Sequence, residues 1–359
     1  MLHRPARTVV SILGIAVGVL LIVFTVGLAN GTMRERARRE ANVGAEIMFR
    51  ASGTLGMSGA ESFRLPVVLV EDLAKIEGVA AAVPIGQTSV QADTNTGTRL
   101  IDGVNFAEYA EMASLNIVEG RAFSGEVVDE AIIDTGFQRQ KNYKIGDTIQ
   151  MWERPFTIVG TYEPAAGARI KIPLAAMQTQ LGGENQCTAI LLSVKKGHAA
   201  EQVAERLHEK FPDNQIIFTK DLEELYMSSI PALNVFLNVI IGVAAAISAL
   251  VILLTMYTTV TERTRQIGIL KSLGMSNARI GSTIAQEAIL LSFCGVVAGV
   301  ILTIGLRFVL TRATTLEVEI SPLVLLITLV VGLIGGALGA LYPALRAARL
   351  DAVEALSYE

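Results

Sequence analysis

Four long apolar runs, each of about the length needed to cross a bilayer, decide what this 359-residue chain can fold into. The first extends from Thr8 to Met33, and 14 of the 21 residues between Val9 and Ala29 are Val, Ile, Leu or Phe. At roughly −0.3 to −0.6 kcal/mol for each of those side chains, insertion is favourable by about 4–8 kcal/mol before Gly, Ser and Thr are counted. The second follows Pro231, from Leu233 to Thr258, within a segment that has no charge between Glu224 and Glu262. The third spans Ile280 to Leu306 with one internal charge, Glu287, and the fourth extends from Pro322 to Leu345. Pro231 and Pro322 suit a first helical turn, where a missing N–H costs nothing. A cleaved signal peptide is the rival reading of the first run, with His3, Arg4 and Arg7 ahead of it and Gly27-Leu28-Ala29 as the cleavage site. Its apolar stretch is too long for that, because signal-peptide cores run about 7–15 residues.

Composition agrees. Only 18% of residues are charged and 51% are hydrophobic, with a mean hydropathy of +0.49. A soluble domain carries about a quarter charged residues, so a wholly soluble enzyme, a disordered chain and a small disulfide scaffold are excluded. The net charge of −4 gives no electrostatic basis for nucleic-acid binding. Charge is uneven: residues 31–230 hold 20 Lys/Arg and 27 Asp/Glu, while the apolar ends are slightly basic. Cys187 and Cys294 fall in the polar middle and an apolar run respectively, and imply no intrachain disulfide.

Short-loop basic residues set the orientation. Arg263, Arg265, Lys271 and Arg279 crowd the link between the second and third runs, Arg346 and Arg349 follow the fourth, and Arg4 and Arg7 precede the first. Four crossings put all three segments on one side, the cytoplasm by the positive-inside rule. Arg34, Arg36, Arg38 and Arg39 disagree, but they open a domain of about 200 residues, and long domains translocate largely regardless of charge. The expected layout is a polytopic α-helical membrane protein with four transmembrane helices, one plus three. Residues 1–31 form the first helix, 32–230 an α+β extracytoplasmic domain, and 231–359 three helices with a short cytoplasmic helix. Both termini are cytoplasmic.

In the polar middle, Thr32–Val43 continues the first helix and is far too charged for lipid, so it is expected to be a stalk, with Lys220–Ser229 its counterpart on the return path. Ala45–Ala51, Ala80–Ala92, Thr98–Val104, Ala189–Lys195 and Gln215–Thr219 are expected strands. Thr148–Trp152 and Phe156–Tyr162 flank Glu153-Arg154-Pro155 as a hairpin. Val70–Ile76, Leu174–Leu181 and Ala199–Phe211 are expected helices. Ala51–Phe63 and Asn95-Thr96-Gly97 are expected to be a loop and a turn.

Chemistry is sparse. No G-x-x-x-x-G-K-[ST] occurs, and Gly268 with Lys271-Ser272 has the wrong spacing. His3, His198 and His208 are expected to be solvated, no metal cluster is evident, and the acidity of the middle is expected to be surface. Gln286 and Glu287 lie one or two turns inside the third run, where a charge is expensive. Glu287 is expected either to pair with a basic residue such as Arg279 or to handle protons or substrate. Gly14/Gly18, Gly295/Gly299, Gly332/Gly336 and Gly335/Gly339 have the spacing for close helix approach, within the chain or between subunits.

The segment Glu262-Arg-Thr-Arg-Gln-Ile-Gly-Ile-Leu-Lys-Ser-Leu-Gly-Met-Ser-Asn-Ala-Arg279 offers a short amphipathic helix that could press on a soluble partner. It resembles the E-R-x-x-E-I-G-I-x-K-A-L-G-A signature of ABC-transporter permeases of the MacB/FtsX type. Glu262, Arg263, Ile267, Gly268, Lys271, Leu273 and Gly274 match, while Gln266, Ser272 and Met275 depart. Pro343–Leu356 resembles the family ending P-A-x-R-A-A-x-L-x-P-x-E-A-L, with Ala352 in place of Pro. Gly44-Ala-Glu-Ile, Ile76-Glu-Gly-Val79, Gly120-Arg-Ala-Phe123 and Phe156-Thr-Ile-Val-Gly160 resemble words of the family's extracytoplasmic core.

The resemblance implies a permease subunit of the bacterial inner membrane. It would carry motion from a separate cytoplasmic ABC ATPase, which binds the ATP and Mg, to an outer domain that exports or extracts a lipoprotein, peptide, haem or hydrophobic drug. It implies no catalytic residue, metal or cofactor in this chain. ATPase coupling is expected from Glu262, Arg263, Arg265, Ile267, Gly268, Ile269, Leu270, Lys271, Leu273 and Gly274, and a cytoplasmic tail role from Arg346, Arg349 and Glu354. A second permease, identical or related, and membrane lipid are further expected partners, and a periplasmic adaptor is compatible. Two other classes stand beside this: a non-transporting regulator of a cell-wall hydrolase, and an ion-coupled transporter using Glu287. The long outer domain favours export over the first, and four spans with one buried charge disfavour the second.

Overall fold

The computed structural model describes residues 5–52, 63–91, 98–228, 231–313 and 318–350. The chain forms two compact units, Met1–Thr32 with Pro231–Glu359, and Met33–Ile230.

The first unit is helical, and the first of its helices runs on past Thr32, so that its residues from Met33 belong to the second unit. Pro5–Ala41, Pro231–Glu262, Asn277–Ala313 and Pro322–Arg349 are each long and apolar enough to cross a membrane, and Thr264–Ser272 is a short helix between the second and third. All four outlast the apolar runs, because polar ends extend a helix without belonging in lipid. Ser321 caps the fourth, its Oγ accepting from Val324 N at 3.2 Å. Ile15, Val19, Val23, Ile252, Met256, Ala288, Leu291 and Val296 form the core. On the second helix Val235, Phe236, Val239, Val243, Ile247, Leu250 and Leu254 form an exposed apolar stripe suited to lipid.

Glycines set the helix spacing, and they act within the chain. A Cβ on Gly18 would lie 2.5 Å from Ser248 Oγ, one on Gly295 2.6 Å from Ile15, and one on Gly299 2.6 Å from Val19. On Gly339 it would lie 2.3 Å from the Ala249 carbonyl oxygen, a backbone atom that cannot swing aside. Gly242 has nothing within 4 Å of that position. Gly339→Ala is therefore expected to lower stability by about 1–3 kcal/mol through overpacking, whereas Gly242→Ala should leave it level or raise it slightly. Thermal unfolding of both variants in one detergent checks this; equal midpoints would refute the backbone contact.

The second unit is a mixed α/β head. Its strands are β1 Ile47–Ala51, β2 Leu65–Pro66, β3 Val79–Gln91, β4 Thr98–Val104, β5 Asn116–Gly120, β6 Glu130–Asp134, β7 Thr148–Met151, β8 Arg154–Glu163, β9 Ile170–Pro173, β10 Gln186–Cys187, β11 Ala189–Val194 and β12 Asn214–Phe218. Ten form one sheet in the order β12-β1-β11-β3-β4-β9-β6-β8-β5, with β7 on β8, and β2 pairs β10 separately. The pairs β4–β9 and β6–β8 are parallel and the others antiparallel. Helices Leu69–Ala74, Phe106–Ala113, Thr135–Lys141, Leu174–Leu181 and Ala200–Lys210 pack on it, and Leu222–Ser228 leads out.

Most sequence expectations hold within two residues, with informative exceptions. The β7–β8 hairpin turns at Trp152-Glu153, both with positive φ, so Arg154 and Pro155 belong to the strand. Strands β5, β6 and β9 and helices Phe106–Ala113 and Thr135–Lys141 were not expected. β6 and β9 are short and almost wholly buried, so they lack the polar alternation that announces a strand. Residues 53–62 of the expected loop and the Asn95-Thr96-Gly97 turn lie outside the described residues. Cys187 and Cys294 are both free thiols.

The head's charge is not all surface. Lys171 is fully buried on β9, and its Nζ donates to Asp102 Oδ2 at 3.1 Å, Ala166 O at 2.8 Å and Ala168 O at 3.2 Å. It lies 4.7 Å and 5.1 Å from the ring centres of Tyr109 and Tyr162. Asp102 also accepts from Gln87 Nε2 and Ala168 N. Burial lowers the Lys171 pKa, opposed by Asp102, and raises the two phenols well above their ordinary value.

Candidate coupling site

The membrane unit's link between its second and third helices is a folded element. The second helix breaks at Arg263, whose backbone leaves the helical region. Thr264 Oγ1 donates to the Val260 and Thr261 carbonyls at the break, at 3.1 and 2.8 Å. The short helix then runs to Ser272 and closes at Gly274, φ +91, with Gly274 N donating to Lys271 O and Met275 N to Leu270 O. A left-handed glycine there is the standard way to end a helix.

The two faces of this helix differ. Ile267 and Gly268 are buried, and Ile267 joins the cluster with Ile280, Ile284, Ala344 and Ala347. Ile269 is 45% exposed, Leu270 41% and Leu273 79%, beside exposed Arg265 and Gln266. Three adjacent large apolar side chains left open among polar neighbours are a small unfilled surface. Ile267, expected to be a coupling contact, is instead a packing residue and is not available to a partner.

Lys271 is committed as well. Its Nζ donates to Ala348 O at 2.9 Å and to Leu350 O at 2.5 Å, the last carbonyls of the fourth helix. A helix C-terminus carries unsatisfied carbonyls and partial negative charge, which an ammonium offsets. The short helix is thereby fixed to the chain's own tail. Glu262 is exposed at the end of the second helix.

Glu287 accepts an ion pair from Arg263, Nη1 to Oε2 3.5 Å, rather than from the suggested Arg279. The helix break swings Arg263 toward the third helix, which sequence distance could not show. Arg346 is exposed and stacks its guanidinium 4.7 Å over Tyr257, itself stacked on Tyr342. Arg349 is exposed, and Glu354 lies outside the described residues. The structure thus gathers Arg263, Glu287, Lys271 and the buried face into intrachain contacts. Arg265, Ile269, Leu270 and Leu273 are left facing out.

Among the described residues no group of three His, Cys, Asp or Glu could hold a metal ion. The head carries an open cleft of about 660 Å³ where β4 and β9 end, lined among others by Val67, Glu71, Phe106, Glu108, Phe123 and Leu174. It was not foreseen, because its walls come from segments far apart in sequence.

Residues 8–210 match the MacB-like periplasmic core domain, and residues 238–352 match the FtsX-like permease C-terminal domain. The macrolide export ATP-binding/permease protein MacB of Acinetobacter baylyi is 26% identical over 386 residues, covering 99% of this chain and 58% of that protein. The pyoverdine export ATP-binding/permease protein PvdT of Pseudomonas savastanoi pv. phaseolicola is 26% identical over 381 residues, covering 98% and 57%. The chain therefore spans less than two thirds of the relatives it matches. Among solved structures, the periplasmic region of MacB from Actinobacillus actinomycetemcomitans aligns with 55% of this chain and 98% of its own, at 15% identity and a TM-score of 0.39.

Proposed function

Since the chain belongs to the MacB/FtsX-type ABC-transporter permeases, we propose that it transmits ATP-driven motion from a cytoplasmic ATPase subunit to its extracytoplasmic head, for export or extraction of a substrate. The observation that carries this reading is the short helix Thr264–Ser272, which buries one face in its own membrane unit and leaves Ile269, Leu270 and Leu273 open. A helix tied to the fourth helix through Lys271 cannot be pushed without moving the bundle. An ATPase docked on the open face would act on such a handle.

ATP and Mg would be held by that ATPase. The active assembly would hold two permeases, identical or related. The short helix and both chain ends would lie in the cytoplasm and residues 32–230 outside, in the inner membrane of a bacterium. The substrate would be a lipoprotein, peptide, haem or hydrophobic drug. A periplasmic adaptor would extend the same scheme outward.

Two measurements test it together. Affinity purification of the tagged chain from its own cell is expected to recover an ABC ATPase. Single cysteines at Val127→Cys and Ser272→Cys are expected to react with an impermeant maleimide from outside and only after permeabilisation, respectively. The reverse labelling pattern, or ATP hydrolysis by the purified chain alone, would overturn the proposal.

A further inference from the structure

We infer that residues 164–169, between β8 and β9, form a strap that joins the stalk end of the first helix to the head, with Arg39 as its positioning residue. This rests on the proposed reading of the chain as a transmitter of motion.

The strap's sequence is Pro-Ala-Ala-Gly-Ala-Arg. Four of its side chains are small and aliphatic or absent, so side-chain interdigitation cannot hold it firmly. Its backbone is held instead, from two directions. From the helix, Arg39 Nε donates to Gly167 O at 2.8 Å, Gly167 N donates to Arg39 O at 2.7 Å, and Asn42 Nδ2 donates to Ala165 O at 3.0 Å. The Arg39 carbonyl belongs to the last helical turn and would otherwise lack a partner. From the head, Lys171 Nζ donates to Ala166 O and Ala168 O, Tyr162 OH donates to Ala168 O at 2.7 Å, and Ala168 N donates to Asp102 Oδ2 at 2.6 Å.

Arg39 links more than the strap. Its Nη2 donates to Asp134 Oδ2 at 3.0 Å, and Asp134 caps the helix Thr135–Lys141 through Phe137 N. One guanidinium therefore fixes the stalk, the strap and the end of β6 at once, which the rigid fork of arginine suits. Glu35 and Arg169 add a half-buried ion pair at 2.6 Å. Gly167 has φ +56, and a Cβ there would lie 2.3 Å from Asp102 Oδ2 and 2.7 Å from Tyr109 OH, so the strap sits directly on the buried lysine cluster.

The return helix offers a weaker tie. Arg34 pairs with Glu223 there, but both are more than a third exposed, and exposed pairs contribute little. At Arg39 the groups are buried, and slipping the helix would leave charge-assisted hydrogen bonds unmade away from water. The joint therefore stays closed through the cycle, and the head follows the stalk.

The test uses the full-length permease with its co-purified ATPase in nanodiscs, on a Cys294→Ser background. Spin labels at Val127→Cys and Ser272→Cys report the distance between head and short helix with and without trapped nucleotide. The expected result is a nucleotide-dependent change that Arg39→Ala abolishes, while ATP hydrolysis and hydrogen-exchange protection of β6 and β9 persist. An Asn42→Cys/Ala165→Cys disulfide, formed before the spin labels are attached, holds the joint without Arg39's help and is expected to keep the nucleotide-dependent distance change intact. Survival of the distance change in Arg39→Ala, or its loss in the disulfide variant with recovery on reduction, would overturn the joint. No change in the labelled parent would instead overturn the transmitting reading on which it rests.

Discussion

Lys171→Met is expected to destabilise the head by about 3–5 kcal/mol, because it leaves Asp102 charged and buried without its cation. Lys171 is fully buried and sits between Asp102, two strap carbonyls and two aromatic rings. Met is close in length and apolar, so the loss comes from electrostatics and unmade hydrogen bonds rather than from a cavity. Lys171→Met combined with Asp102→Asn should recover part of that loss, since the amide can still accept from Gln87 Nε2 without a stranded charge. The sign of the pH dependence follows from burial. The folded-state pKa of Lys171 is lowered from 10.5, so in the alkaline window below that value the unfolded chain binds the proton more tightly. The contribution of Lys171 to stability therefore rises as pH increases through the window, against the opposite trend of the two phenols raised by burial, and the single variant should lack the lysine's gain. Denaturant unfolding of the full-length protein in detergent, with hydrogen exchange read on β4 and β9, checks all of this. A single variant as stable as the parent would show that the pair is not a structural hub.

The membrane unit was legible in the sequence and the head's interior was not, for one physical reason. A membrane helix satisfies its own backbone, so length and apolarity suffice to find it. That is why Pro231 and Pro322 mark helix starts to the residue. The head's polar network is assembled from Arg39, Asp102, Asp134 and Lys171, which the chain brings together only through a sheet of crossed strand order. One signal was present: Lys171 stands in an Ile-Lys-Ile-Pro run, a charge where a buried strand would place an apolar residue. The candidate coupling segment is marked in the sequence only by its resemblance, and its two faces cannot be told apart there. Nine residues make two and a half turns, too few for periodicity to decide which apolar residues pack inward. Hence Ile267 and Leu270 looked equivalent, although one is core and the other open.

That difference yields the second large effect. Leu270→Asp with Leu273→Asp is expected to strip the ATPase from the purified complex while leaving the permease folded. Both side chains are exposed in the isolated chain, so an aspartate there meets water and costs the fold little. In a docked complex the same positions would be desolvated apolar anchors, each contributing on the order of 2 kcal/mol, so affinity should fall by roughly a thousandfold. Ile267→Asp makes the opposite prediction. Its side chain packs with Ile280, Ile284, Ala344 and Ala347, and a carboxylate there should cost more than about 3 kcal/mol of the permease's own stability. Lys271→Met separates handle from surface. The open face stays, but the hydrogen bonds to the Ala348 and Leu350 carbonyls are gone. The ATPase should therefore still bind while its hydrolysis no longer drives export. Pull-down, thermal unfolding and transport measured on the same three variants decide the assignment. If the Leu270/Leu273 variant retains its ATPase at the parental level, the short helix is not the docking element, whatever the family resemblance implies.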